Sequence, residues 1–120
     1  MATEVIFTDE FEAWYDGLSE AEQDRVAFSV GLLEERGVTL PFPHSSSIKG
    51  ASFALRELRT QADGDPFRTL YAFDPARQAV LLIGGDKTSD DRFYERMLPI
   101  AERIWSAYLE ETGQTKPEKK

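Results

Sequence analysis

Residues 52–83 read SFALRELRTQADGDPFRTLYAFDPARQAVLLI, and this stretch decides the fold. Three strand-like runs lie in it, Ser52 to Arg59, Pro66 to Phe73 and Ala79 to Ile83, each rich in aliphatic or aromatic side chains. Asp63-Gly64-Asp65-Pro66 separates the first two. Asp74-Pro75-Ala76-Arg77 separates the last two, with Pro75 suited to the second position of a type I turn. Links this short force antiparallel neighbours, because a parallel return needs a crossover. Gly84-Gly85 is read as the end of the last strand.

Upstream, Thr3 to Phe7 (TEVIF) reads as a short first strand. Thr8 or Asp9 can cap a helix whose Phe11, Trp14, Tyr15 and Leu18 follow at helical spacing. Ser19 with Glu22 forms a capping-box pattern, Val26, Val30 and Leu33 continue one apolar stripe, and Gly37 is a natural stop. Residues 9–36 are thus expected to form two helices. Leu40 to Ser47 (LPFPHSSS) reads as a loop, because each proline lacks an amide hydrogen and the serines compete for backbone bonds. Downstream, a helix is expected from near Ser89 or Asp90, with Phe93, Met97, Ile100, Ile104 and Tyr108 on its apolar face and a kink or break at Pro99. These elements make an α+β sandwich with helices on one sheet face and the other face open for a site.

At 120 residues with 41% hydrophobic content, the chain suits one core. We take residues 1–112 as one domain and 113–120 as a polar, disordered tail. No cysteine is present, which removes disulfides, thiolate metal sites and thiol nucleophiles and suits a reducing compartment. No run approaches a membrane span and residues 1–10 lack a signal-peptide pattern, so the expected location is the cytoplasm, with no membrane partner. The net charge of −8 is unevenly spread. Residues 1–48 hold ten carboxylates against Arg25 and Arg36, whereas residues 49–96 balance eight against eight. An acidic solvated helical face explains the first part, and segregated surfaces are the alternative.

The charged strands carry the chemistry. Strand alternation places Glu57 and Arg59 on one face and Arg56 and Leu58 on the other, and Arg68 follows on the next strand. Arginines on an exposed sheet face suit phosphate, since guanidinium offers a planar fork to two oxygens. The plainer reading is cross-strand salt bridging, for instance Glu57 with Arg68. Residues 84–88, GGDKT, lack P-loop spacing and read otherwise as a turn before the last helix. His44 is the only histidine and reads as a surface residue, so neither a zinc set nor a serine triad can be assembled. Neither metal nor cofactor is expected.

The series Lys49-Gly50, Leu55-Arg56-Glu57-Leu58-Arg59, Phe67-Arg68-Thr69-Leu70-Tyr71-Ala72-Phe73 and Leu81-Leu82-Ile83-Gly84-Gly85-Asp86-Lys87-Thr88 resembles the HigB-like, phage-derived branch of the RelE/ParE toxin superfamily. The resemblance covers about residues 3–110. It implies an N-terminal strand and helical hairpin packed on a twisted antiparallel sheet, with a C-terminal helix. It also implies a metal-independent endoribonuclease acting on ribosome-bound messenger RNA in a prokaryote or phage host, silenced by an antitoxin, commonly of helix-turn-helix type. Residue by residue, Arg68 is similar to the strand arginine that holds the scissile phosphate, and Arg59 to a neighbouring cation. Lys87 matches the cation of the loop after the last strand, and Tyr94 a tyrosine near the base or attacking hydroxyl. Glu57 is a candidate base, and Arg56, Arg92 and Lys49 are candidate RNA contacts. Leu55 and Glu57 stand where some members carry lysines. Two other roles stay open: a ParE-type, non-enzymatic poison of DNA gyrase, and a non-catalytic antitoxin-binding module.

Overall fold

A computed structural model describes residues 2–114. In chain order the elements are β1 (Val5–Phe7), α1 (Asp9–Asp16), α2 (Glu20–Arg36), a 3-10 turn (Gly37–Thr39), β2 (Ser45–Ser47), β3 (Arg56–Ala62), β4 (Asp65–Phe73), β5 (Ala79–Asp86) and α3 (Phe93–Glu111). Local chemistry sets the starts of the first two helices. The Thr8 hydroxyl accepts the Phe11 amide at 3.2 Å and donates to the Leu82 carbonyl at 2.7 Å, so it caps α1 and ties it to β5 together. Ser19 and Glu22 close the reciprocal capping box at the start of α2.

One five-stranded sheet has the order β1-β5-β4-β3-β2. Its hairpins follow the turn chemistry. Asp63 and Gly64 both have positive φ, which gives β3 and β4 a two-residue connection of the type I′ kind. In the next link the Arg77 amide donates to the Asp74 carbonyl at 2.8 Å, with Pro75 at the second position. β1 is the exception to the antiparallel pattern: Val5 faces Ala79 in parallel register. α1 and α2 lie between them and supply the crossover, followed by the rest of the sheet.

The helices lie on both faces of the sheet, not on one. Phe11, Val26 and Leu33 from α1 and α2 pack with Leu58, Phe67, Tyr71 and Leu81. On the opposite face Phe93, Met97, Ala101, Ile104 and Trp105 of α3 pack with Leu55, Leu70, Ala72, Val80 and Leu82. The reason is in β4 and β5, where Leu70-Tyr71-Ala72 and Val80-Leu81-Leu82 are buried residue after residue, so apolar groups point both ways and need two covers. The open area is therefore only the end of the face beyond α3.

Other boundaries moved for identifiable reasons. β3 starts at Arg56 and extends to Ala62, and the serines expected in a loop form β2, with Ser45 opposite Leu58. Gly84 and Gly85 lie inside β5 instead of ending it. A Cβ on Gly84 would sit 2.3 Å from the Trp14 ring, and one on Gly85 2.9 Å from Phe93. We expect Gly84→Ala to cost about 1–3 kcal/mol by overpacking, read from urea unfolding; an unchanged midpoint would contradict the contact. α3 begins at Phe93, after Ser89 at φ +52, and runs unbroken through Pro99. At the end of the described chain the Gln114 amide donates to Asp74 Oδ2 at 3.2 Å. The rest of the expected tail, residues 115–120, lies outside the described residues.

Candidate functional site

Glu57 is the centre of the charged cluster. Period-two alternation puts it on the α3 face of β3 together with Leu55 and Arg59. Arg59 stands opposite Arg68 in the β3–β4 register, and Glu57 opposite Leu70. Both strand residues Glu57 and Arg68 are buried, at 5% and 6% exposure. The expectation of an exposed Arg68 is thus corrected: Tyr94, from the first turn of α3, and the neighbouring strand side chains cover it.

Each carboxylate oxygen of Glu57 faces two donors. Oε1 accepts the Tyr94 hydroxyl and lies 3.6 Å from Arg68 Nε. Oε2 accepts Arg59 Nη1 at 3.2 Å and the Ser46 hydroxyl at 2.8 Å. A carboxylate has about four lone-pair sites, and three of these accept hydrogen bonds here, with the Arg68 guanidinium facing the fourth. Arg68 Nη1 donates to the Phe67 carbonyl at 2.9 Å, while its Nε finds no hydrogen-bond acceptor among the described residues. Lys87 Nζ lies 5.7 Å from the centre of the Tyr94 ring, within cation–π range. The carboxylate therefore meets two cations, Arg59 and Arg68, while Lys87 stands over the Tyr94 ring that bonds it.

The Tyr94 phenol is pushed up to about 12, chiefly by burial and then by its hydrogen bond to Glu57 and that carboxylate's charge, with Arg68 pulling the other way. It stays protonated and donating through the neutral range. A raised phenol favours the folded state fully below the ordinary value of 10.0, and that contribution is lost as pH rises toward 12. Tyr108 is also raised, by burial and its bond to Asp74. Urea midpoints should therefore fall between pH 10 and 12, and less steeply in Tyr94→Phe. Equal steepness in the two proteins would contradict the Tyr94–Glu57 bond.

The structure brings Glu57, Arg59, Arg68, Lys87 and Tyr94 together, but not the three expected RNA contacts. Arg56 lies on the opposite face, where its Nε donates to Ser45 Oγ at 3.1 Å beside Tyr71. Lys49 is on an exposed loop, and Arg92 is exposed at the start of α3 with Glu95 at 3.8 Å. Two residues went unnoticed in the sequence. Ser46 bonds Glu57, and Phe42 lies 5.1 Å under the Arg59 guanidinium. Both belong to the LPFPHSSS stretch, whose only signal was an exposed phenylalanine among prolines. Among the described residues no three His, Cys, Asp or Glu side chains gather in a way that could hold a metal ion, and no helix is long and apolar enough to cross a membrane.

The family described as Phage derived protein Gp49-like (DUF891) matches residues 13–106. The candidate toxin HigB3 of Mycobacterium tuberculosis (strain ATCC 25618 / H37Rv) is 39% identical over 101 residues, covering 82% of this chain and 87% of HigB3. HigB2 of the same organism, also a candidate toxin, is 30% identical over 115 residues, 93% of this chain but only 57% of HigB2. The crystal structure of the archaeal RelE-RelB complex from Pyrococcus horikoshii OT3 contains a chain with the same fold, at TM-score 0.55 and 18% identity, covering 74% of this chain and 99% of that one. The chain belongs to the phage-derived Gp49-like family, with the HigB candidate toxins among its relatives.

Proposed function

We propose that this protein is the toxin of a type II toxin–antitoxin pair and cleaves ribosome-bound messenger RNA without a metal. The observation that carries the reading is the pairing of Arg59 and Arg68 with the buried Glu57 carboxylate, with Arg59 still partly exposed. A backbone phosphate entering there first meets Arg59, Lys87 and Tyr94, which are only partly buried. Arg59 can exchange its bond to Glu57 for a phosphate oxygen, since guanidinium binds either anion by the same fork. That exchange frees a Glu57 lone pair for the ribose 2′-hydroxyl. The 2′-oxygen attacks the adjacent phosphorus, the proton passes to Glu57, and the 5′-oxygen leaves with a proton supplied by Tyr94 or water. Arg68, beneath, and Lys87 stabilise the charge that develops on the phosphorane. General acid and base are each worth about 10²–10⁴-fold, so a ribosome that presents strained RNA would add positioning the cluster lacks.

The candidate toxins HigB3 and HigB2, and the RelE-RelB complex, support an antitoxin partner, which we take to be of helix-turn-helix type. The test is primer extension on messenger RNA after brief induction, together with cleavage by purified protein with and without ribosomes. Cuts should map to translated regions, and pre-treating the protein with EDTA before adding magnesium-supplied ribosomes should leave the rate unchanged. Growth arrest with intact messages and inhibited DNA gyrase would replace this reading by the gyrase poison.

A further inference from the structure

A concavity lies beside the cluster, between α2 and the edge of β3 beyond β2. It has a volume of about 330 Å³, at the lower end of the range for small-ligand sites. Its lining includes Arg25, Phe28, Pro43, His44, Arg59 and Gln61, and Arg68 reaches it from the neighbouring strand. Three arginines therefore line it and no carboxylate does. That bias is unexpected for its location. Residues 1–48 hold ten carboxylates and only two basic side chains, and one of those two, Arg25, is here. Arg25 makes no ion pair among the described residues. Phe28 is 68% exposed, an aromatic face left in water one helical turn from Arg25.

The floor is polar and closed. Thr60 Oγ1 donates to Ser29 Oγ at 2.7 Å, joining β3 to α2. β2 stops opposite Leu58, and the Arg59 amide donates to the His44 carbonyl at 2.8 Å. By the strand period Gln61 turns its backbone groups to the same side, where no strand follows. The cavity thus offers aromatic and proline faces, one arginine without an ion pair beside two that share Glu57, and backbone groups on an edge that no described strand pairs.

We propose that this cavity is a nucleotide pocket: it takes one unpaired ribonucleotide, with its base against Phe28, Pro43 and His44 and its phosphate against Arg25 and Arg59. The proposal rests on the RNA reading above and adds a specificity site to it. Unstacked bases are held in this way, by an aromatic face with hydrogen bonds to their edges, and cations fix the adjoining phosphate. Because Arg59 lines both the pocket and the Glu57 cluster, a nucleotide seated here is next to the bond to be cut, and its base would set the preferred sequence.

The full chain is titrated with each ribonucleoside 5′-monophosphate and with inorganic phosphate, following backbone amide NMR shifts. Shifts should gather at residues 25–32, 43–44 and 59–61, with at least one nucleotide binding more tightly than phosphate. Phe28→Ala should weaken nucleotide binding roughly tenfold, as loss of one stacking face does, and leave phosphate binding unchanged. Arg25→Gln should weaken both and reduce the salt dependence. Both positions are on the exposed side of α2, so the fold tolerates them. Equal affinity for phosphate and nucleotides with no effect of Phe28→Ala overturns the proposal. So does nucleotide-induced shift confined to the Glu57 cluster. Protection of residues 59–61 only by the antitoxin, without response to any nucleotide, would assign the edge to a strand-adding protein instead. In RNA cleavage, Phe28→Ala should flatten base preference beside the cut. If the wild-type protein cuts no RNA, the ribonuclease reading fails, and the nucleotide titration still decides the pocket.

Discussion

Glu57→Ala should lower stability by about 3–5 kcal/mol, a drop of roughly 10 °C or more in Tm for a domain of this size. Arg68 is buried beside that carboxylate, and its Nη1 donates to the Phe67 carbonyl. Removing Glu57 strands a guanidinium away from water and takes away the acceptor of the half-buried Ser46 and Tyr94 hydroxyls. The opposite truncation should cost less. Arg68→Ala leaves Glu57 still bonded by Arg59, Ser46 and Tyr94. The double variant Glu57→Ala with Arg68→Met should recover much of the loss, because a buried pair replaced by apolar groups is often neutral. Thermal and urea unfolding of the three proteins check this order, and a Glu57→Ala protein as stable as wild type would mean that the carboxylate and Arg68 are not coupled.

Arg59→Ala should reduce cleavage by about 10²–10³-fold while changing stability by no more than roughly 1 kcal/mol. Its side chain keeps 30% of its exposure, so the ion pair with Glu57 is partly in water. Arg68→Lys should also impair cleavage, because ammonium keeps the charge but loses the fork that serves Phe67 and Glu57 at once. Single-turnover cleavage of ribosome-bound message separates these effects from folding. Wild-type rates in Arg59→Ala would remove Arg59 from the phosphate path and leave the cluster as a structural ion pair. Either result is decisive for the proposed chemistry, since no other site cation bonds Glu57 from a partly exposed position.

Much of this fold was legible because its signals are local. Thr8, Ser19 with Glu22, Asp63-Gly64 and Asp74-Pro75 each act within a few residues, and each appears where its chemistry requires. What was not legible depends on partners distant in the chain. Ser45–Ser47 becomes a strand only because Leu58 to Arg56 pairs with it. Gly84-Gly85 looks like a terminator, yet it continues β5 because Trp14 and Phe93 need the space a side chain would fill. The side taken by α3 follows from two-sided burial of β4 and β5, which a run such as Leu70-Tyr71-Ala72 shows only once its neighbours are known. The cluster of Glu57, Arg59 and Arg68 follows from strand period and register, so the sequence could foreshadow it. Burial of Arg68 and the bonds from Tyr94 and Ser46 required the third dimension.

The parallel pairing of Val5 with Ala79 has a consequence for the order in which a newly made chain can mature. The first strand to leave the ribosome must wait for the last one, since 74 residues separate Thr8 from the Leu82 carbonyl it bonds. Contacts of such long range are slow to form and cannot begin before both ends are free. Glu57 waits longer still, because the hydroxyl of Tyr94 comes from α3. At elongation rates of about 5–20 residues per second, several seconds pass between synthesis of the strand arginines and arrival of the helix that covers them. A nascent chain is thus without its completed charge cluster until the start of α3 has been translated, and the interval is one in which a partner already present could engage the sheet first.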